Sequence, residues 1–289
     1  MRRQIIVVFL SLFCLAASAA DRGALFKVSD GTHSMFLFGT MHAGQPGFYP
    51  LEPRIANAVA ESGTLALEVD PALDPAAVAS AMQKHGMARA GSLTPPALAR
   101  RLQALLKKDG IDPASLAPLK PWVIATILEM HEFARLGYRA DLAVDSELAK
   151  MARAGKAKVV SLESVDSQMA LFDNLSEKEQ WGFLADTVAL IESGKHAAEA
   201  RQIAEAWSHA DQPALDAMAR RVENDNTMAG RFIREVLLDG RNGALADKLA
   251  QLLAKEDKAV AAIGVLHLIG KRSVPELLRA RGINVERIY

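Results

Sequence analysis

The sequence predicts an α/β fold: a single domain whose central β-sheet is built from N- and C-terminal segments, with large helical insertions between them. Three observations carry this expectation. Apolar runs of strand length occur early, at residues 24–28, 34–38 and 64–67, and again late, at 158–162 and 259–263. The long stretches between them carry helical periodicity and helix-start signals. The chain has 289 residues, 50% of them hydrophobic, and shows no repeat, linker or low-complexity tract, so one large core is within reach.

Each element has a local reason. Asp30-Gly31 is a hairpin signal between the first two runs. A loop with Gly44, Pro46, Gly47 and Pro50 precedes a short helix opened by Pro53. Asp74-Pro75 and Thr94-Pro95 each read as an N-cap followed by Pro at the first helical position. Leu98, Leu102, Leu105 and Leu106 share one face of the next helix, which Gly110 ends. Pro121-Trp122 starts another helix, with Val123, Ile127 and Met130 expected inward, and residues 144–154 form one more. From Ser164 to about Leu253 the chain is helical again. Ser176 with Glu179 forms a capping box there, and residues 195–221, Ala-rich and charged, read as a solvent-facing helical pair. Ser273 with Glu276 is a second capping box, and residues 284–288 close as a last strand.

Residues 1–20 read as a secretory signal peptide, leaving 21–289 as the mature domain. Arg2 and Arg3 precede a mostly apolar run from Ile5 to Ala17, and Ala17-Ser18-Ala19 offers a cleavage site. That run is shorter than the ~20 residues a membrane span needs. The single cysteine, Cys14, lies inside the segment, so a mature chain has no disulfide. The expectation is a periplasmic or secreted bacterial protein with no stable membrane span. Lys+Arg and Asp+Glu both number 34, which gives no field for nucleic acid.

The chemistry gathers at strand ends. Phe36-Leu37-Phe38-Gly39-Thr40-Met41-His42 and Ala261-Ala262-Ile263-Gly264-Val265-Leu266-His267 share one pattern: an apolar run, a Gly, two spacers and a His. Two other runs end in carboxylates, Glu68 and Glu163. In open α/β sheets ligands bind beyond the carboxyl ends of strands, where these four groups would lie. Imidazole and carboxylate together make a first shell for zinc, manganese or cobalt, and a carboxylate nearby can serve as base. The bland alternatives are hydrogen-bonded loop histidines, ion-paired carboxylates and, for Glu163, a cap on the following helix. His131-Glu132 opens a zincin-like motif, but Arg135 stands where the second His is needed.

Taken together, Phe38-Gly39-Thr40-Met41-His42, Leu67-Glu68, Leu119-Lys120-Pro121-Trp122, Ser161-Leu162-Glu163 with Gln168 and Leu171-Phe172, Arg241-Asn242, and Ile263 to Leu268 with Gly270 resemble the TraB/GumN family. That family includes the Tiki metalloproteases, and the GumN-like secreted bacterial subgroup is the nearest in pattern. The resemblance implies a fold similar to the erythromycin-esterase and ChaN-like group, and divalent-metal-dependent peptidase activity on a peptide or protein substrate. It implies His42, Glu68 and His267 as site residues, with Arg241 as a further polar candidate. One departure is Lys271-Arg272-Ser273, where the family often has a Gly. The resulting expectation is a metal-dependent hydrolase in which His42 and His267 hold the ion, Glu68 is a further ligand or the base, and Arg241 stabilises an oxyanion. A non-catalytic peptide-binding protein and a metal-independent esterase with His as base are the competing expectations.

Overall fold

Residues 25–40 form a hairpin, strands β1 (Leu25–Ser29) and β2 (Ser34–Thr40), turned at Gly31 with φ +93°. The structure, a computed structural model, describes residues 21–72, 74–89 and 93–289. The expected signal peptide, residues 1–20, lies outside them. Strands β3 (Thr64–Leu67), β4 (Lys158–Ser161), β5 (Ala259–Gly264) and β6 (Asn284–Arg287) complete one six-stranded sheet in the order β4-β3-β5-β2-β1-β6. β4, β3, β5 and β2 run parallel, while β1 is antiparallel to both of its neighbours. The central strands β3 and β5 are buried along almost their whole length, as parallel strands covered on both faces must be. Edge strand β4 carries Lys158 and Ser161 outward.

Helices fill the connections: α1 (Pro53–Glu61), α2 (Pro75–His85), α3 (Pro96–Asp109), α4 (Pro113–Leu116), α5 (Pro121–Arg135), α6 (Val144–Ala154) and α7 (Val165–Asp173) in the first half. In the second half come α8 (Glu177–Glu192), α9 (Lys195–Ser208), α10 (Gln212–Asn224), α11 (Met228–Phe232), α12 (Asp239–Leu253) and α13 (Val274–Ala280). A π-helical segment, Ile233–Leu238, separates α11 from α12.

Among the described residues two hydrophobic clusters result. One wraps the sheet; the other, in the helical insertion, joins Leu98, Leu102, Leu105 and Leu106 of α3 to Trp122, Val123 and Leu128 of α5 and Phe183, Leu184 and Val188 of α8. Phe172 of α7 packs on the second cluster, with ring centroids 5.0 Å from both Trp122 and Phe232. Among the described residues, no helix is long and apolar enough to cross a membrane.

Several local expectations need correction. Met130 points outward at 36% exposure, and Leu128 and Ala125 take the inward places on α5. The helix after Thr94 starts one residue later, with Pro95 at the N-cap position and no side-chain cap. Ser273 precedes α13 without a side-chain cap bond, although Ser176 and Glu179 do form their capping box. The pair α9–α10 is not a solvent-facing appendage. Ala200, Ala204, Leu215 and Met218 are buried, and Trp207 is fully buried with its Nε1–H donating to Gly39 O at 2.8 Å. Ala204, Ala206 and Trp207 of α9 and Leu215 and Met218 of α10 belong to the cluster that wraps the sheet.

Candidate functional site

Because β2, β3, β4 and β5 are parallel, their carboxyl ends share one edge. His42 follows β2, Glu68 follows β3 and Glu163 lies just beyond β4, while His267 sits in the 3-10 turn Val265–Leu268 directly after β5. The sequence brings these four groups to one place because β5 inserts between β3 and β2.

His42 is held from behind. The backbone N–H of Val144 donates to Met41 O at 2.9 Å, seating the first turn of α6 against the strand end. Asp145 then faces the imidazole, with Oδ2 2.9 Å from His42 Nδ1 and Oδ1 accepting from Thr40 Oγ1 at 2.7 Å. Asp145 is 7% exposed, whereas the His42 side chain is 65% exposed at the mouth of the cleft. The attraction of Asp145 raises the His42 pKa above its ordinary value.

His267 is held in the same way. Its Nδ1 lies 2.6 Å from Asn242 Oδ1, and the Asn242 amide donates to Arg272 O at 2.8 Å. This imidazole is buried, and burial brings its pKa down to about 4, so it is neutral at physiological pH. In both histidines the acceptor at Nδ1 leaves Nε2 as the lone-pair nitrogen when the ring is neutral.

Both Nε2 atoms face the same carboxylate oxygen. Glu68 Oε1 lies 4.0 Å from His42 Nε2 and 3.9 Å from His267 Nε2, and it accepts the Gly264 N–H at 2.6 Å. Oε2 takes Arg241 Nη2 and the Gln168 amide, the latter at 3.3 Å. Burial alone would raise this carboxyl; the charge of His42, that of His267 at the acid pH where it too is protonated, the charge of Arg241 and the Gly264 N–H overcome it and hold it well below the usual carboxylate range.

Arg241, at the start of α12 just past the π-helical segment, ties the cluster together. Nε donates to Glu163 Oε1 at 3.0 Å, Nη1 to Leu237 O at 3.2 Å and to His267 Nε2 at 3.1 Å, and Nη2 to Glu68 and Glu163. All five guanidinium N–H groups thus have acceptors. Glu163 does not cap α7, because Ser164 does so in a box with Ser167; it pairs with Arg241 instead. Gln168 of α7 bridges Glu163 Oε2, at 2.9 Å, to Glu68.

His42, Glu68, Asp145 and Gln168 line a cleft of about 280 Å³ with Asp70, Ser146 and Val165. Sequence reasoning missed Asp145 entirely. An Asp in the first turn of a helix reads as ordinary dipole compensation, and nothing local ties it to a histidine 103 positions away. Asn242 and Gln168 stood in the quoted motifs without a role.

Among the described residues, no group of three or more His, Cys, Asp or Glu stands ready to hold a metal. Two features account for this. The 3.9 and 4.0 Å separations exceed the ~3.4 Å edge of a tetrahedron drawn at zinc–nitrogen distances. Arg241 also engages His267 Nε2. The donor chemistry nonetheless suits a divalent ion: two imidazole nitrogens, each with its far nitrogen anchored by an oxygen acceptor, around one ionised carboxylate.

Fold and site define an α/β protein in which two G-x-x-H turns and a carboxylate meet at the carboxyl edge of one mixed sheet. The chain belongs to the TraB/PrgY/gumN family, whose model matches residues 24–287. It is 26% identical over 252 residues to "Uncharacterized protein YbaP" of Escherichia coli (strain K12), covering 86% of this chain and 89% of that protein. The protein of the same name from Shigella flexneri matches with the same identity and coverage. No solved structure matches the chain.

Proposed function

We propose that this protein is an exported, divalent-metal-dependent hydrolase of the Tiki-like and GumN-like kind, acting on peptide bonds. The observation that carries the reading is the shared orientation of His42 and His267, each anchored at Nδ1 with Nε2 toward Glu68 Oε1. His42, His267 and Glu68 would hold the ion, and their donor types suit zinc, manganese or cobalt. When bound, such an ion supplies Lewis-acid polarisation of a scissile carbonyl and a more acidic water.

The surrounding residues have their own tasks. Asp145 and Asn242 orient the imidazoles. Arg241 and Gln168 fix the Glu68 carboxylate and balance Glu163. A carboxylate held so far below its ordinary pKa is a poor proton acceptor at neutral pH, which favours Glu68 as ligand over Glu68 as base. With every N–H of Arg241 engaged, its part is to set charge and geometry, and an oxyanion would have to displace one of its acceptors. The N-terminal pattern of Arg2, Arg3 and the apolar run supports export to the periplasm or beyond.

A second reading, a metal-independent esterase, rests on the His42–Asp145 pair: the imidazole, exposed over a buried carboxylate, would serve as general base at alkaline pH, once it gives up the proton that Asp145 holds. One experiment separates the two. Purified mature protein is titrated with zinc and manganese by calorimetry, and peptide and ester turnover are followed before and after chelation. The metal reading expects stoichiometric binding that His42→Ala and His267→Ala abolish, and peptide turnover lost on chelation. Ester turnover that survives chelation, with no metal bound, overturns it. Absence of any turnover together with peptide binding would point to a sequestering protein.

A further inference from the structure

Arg287, a largely buried guanidinium outside the candidate site, has no hydrogen bond among the described residues. Arg287, on β6, pairs across the sheet with Phe26, and its guanidinium carbon lies 5.6 Å from the Phe26 ring centroid. The side chain is only 17% exposed. Nε and Nη2 are sealed from solvent and unpartnered among the described residues. Asp216 of α10 stands 3.9 Å from Nη1, beyond hydrogen-bond reach. The contrast with Arg241 is direct, since there every N–H has an acceptor.

A guanidinium cannot shed its charge at any physiological pH, so its donors must be satisfied or their burial is costly. A ring face and a distant carboxylate offset only part of that cost. Burial lowers the Arg287 pKa and outweighs the attraction of Asp216, the mark of an under-compensated cation.

The same residue lines a cleft of about 640 Å³ between α10, α13 and the turn that follows His267. Four cations line it, Arg220, Lys271, Arg279 and Arg287, against three carboxylates, Asp216, Glu223 and Glu276. Arg279 donates from Nε and Nη2 to Val285 O and from Nη1 to Glu276, and Lys271 lies 3.6 Å from Glu223. Arg220, one turn beyond Asp216 on α10, is exposed at the rim. The wall therefore lacks one anion.

We propose that this cleft binds an oxyanion, the phosphate or carboxylate group of a small ligand, held by Arg287 with Arg220 beside it. The anion would meet Nη1, the one guanidinium nitrogen of Arg287 that is not sealed, and offset the charge of the buried cation while Nε and Nη2 stay inward; Arg220 lines the same wall. None of His42, Glu68, Glu163 or Arg241 lines this cleft, so it is a second site and not an arm of the first. Its wall includes Leu268 to Lys271, the residues directly after His267, so an occupant would lean on the turn that carries that imidazole.

The test uses the full mature chain, titrated separately with inorganic phosphate and with acetate at matched ionic strength, and followed by backbone amide NMR. Saturable shifts at Gly270, Lys271 and Arg287 are expected with at least one anion. Arg220→Ala, at an exposed position, should weaken that binding by about tenfold or more while leaving circular dichroism unchanged. Arg287→Met should abolish it. Saturation by phosphate alone assigns a phosphate-bearing ligand, and saturation by acetate alone a carboxylate; either supports the site. No saturable shift with either anion, or wild-type affinity in Arg220→Ala, overturns the proposal.

Discussion

Arg241 Nη1 donates to His267 Nε2 across 3.1 Å, while Nη2 of the same guanidinium lies against both Glu68 and Glu163. One side chain therefore engages three of the four groups delivered by the strand ends. The buried carboxylates at the edge of this sheet are tolerated because a fully satisfied cation sits between them. His267 Nε2 is also the atom through which that histidine would take an ion, so Arg241 and an ion compete for it.

The first prediction follows from that competition. Glu68 and Glu163 are 5% and 13% exposed at their side chains, and Arg241 is 12% exposed. Arg241→Ala leaves two buried carboxylates unpaired and should cost about 3–5 kcal/mol. Urea unfolding measures this directly. Saturating zinc should recover part of the loss in Arg241→Ala and stabilise wild type less, because only the variant offers His267 Nε2 free. A loss under about 1 kcal/mol would mean that Arg241 does not organise the site.

The second concerns the two imidazoles, whose environments push them apart from the ordinary 6.5. Asp145 raises His42, toward about 9; burial lowers His267, to about 4. The stability signs are opposite. The folded state holds the His42 proton more tightly, so that contribution is present below pH 6.5 and is lost as pH rises toward about 9. The unfolded state binds the His267 proton more readily, so stability falls as pH drops from 6.5 toward about 4. Solvent around the exposed His42 ring screens its pair, so the direction is the prediction. Imidazole NMR titration of the metal-free chain should give His42 a midpoint above 6.5 and His267 one below it. In Asp145→Asn the His42 midpoint should fall toward 6.5 while that of His267 stays put.

How much of this was legible in the sequence depends on the range of the signal. The strands around Gly39 and Gly264, and the four polar residues beyond the strands, were readable because an apolar run and its terminator are local. The sheet order was not, because β5 lies almost 200 positions after β3 and nothing local says that it pairs between β3 and β2. Asp145 was hidden because an acidic residue in a first helical turn has a sufficient local explanation. The α9–α10 pair was misread because alanine and charge look solvent-facing by composition, while here small alanines are buried beside Leu215, Met218 and the fully buried Trp207.

That residue carries the third prediction. Trp207 is fully buried, its ring centroid lies 4.7 Å from that of Phe48, and its Nε1–H satisfies Gly39 O at the foot of the His42 turn. Trp207→Ala should cost about 3–5 kcal/mol through the cavity and the lost packing. Trp207→Phe should cost less, keeping most of the volume and leaving Gly39 O without its donor. Thermal unfolding of the pair checks the order; equal losses would show that the hydrogen bond contributes nothing.

The last prediction separates the two glycines, which the sequence pattern treats as equivalent. A Cβ added at Gly39 would lie 2.9 Å from Val265 Cγ2 and 3.2 Å from its Cα, both in a buried residue at the head of the His267 turn. Backbone there must shift, so Gly39→Ala is an overpacking change that should lower stability by about 1–3 kcal/mol. A Cβ added at Gly264 has side-chain atoms as its three nearest neighbours. It would lie 3.3 Å from Glu68 Oε1, 3.4 Å from His42 Nε2 and 3.7 Å from His267 Cδ2, in the middle of the space those groups face. Gly264→Ala should therefore fold with stability within about 1 kcal/mol of wild type. It should nonetheless shift the imidazole resonances of both histidines and weaken zinc binding by about 10-fold to 100-fold, since a methyl stands where the three donors would close. The measurements are thermal unfolding, imidazole NMR and zinc calorimetry on wild type and the two variants. The reading fails if Gly264→Ala binds zinc as wild type does with its histidine shifts unmoved, because the space over Gly264 would then not be the site.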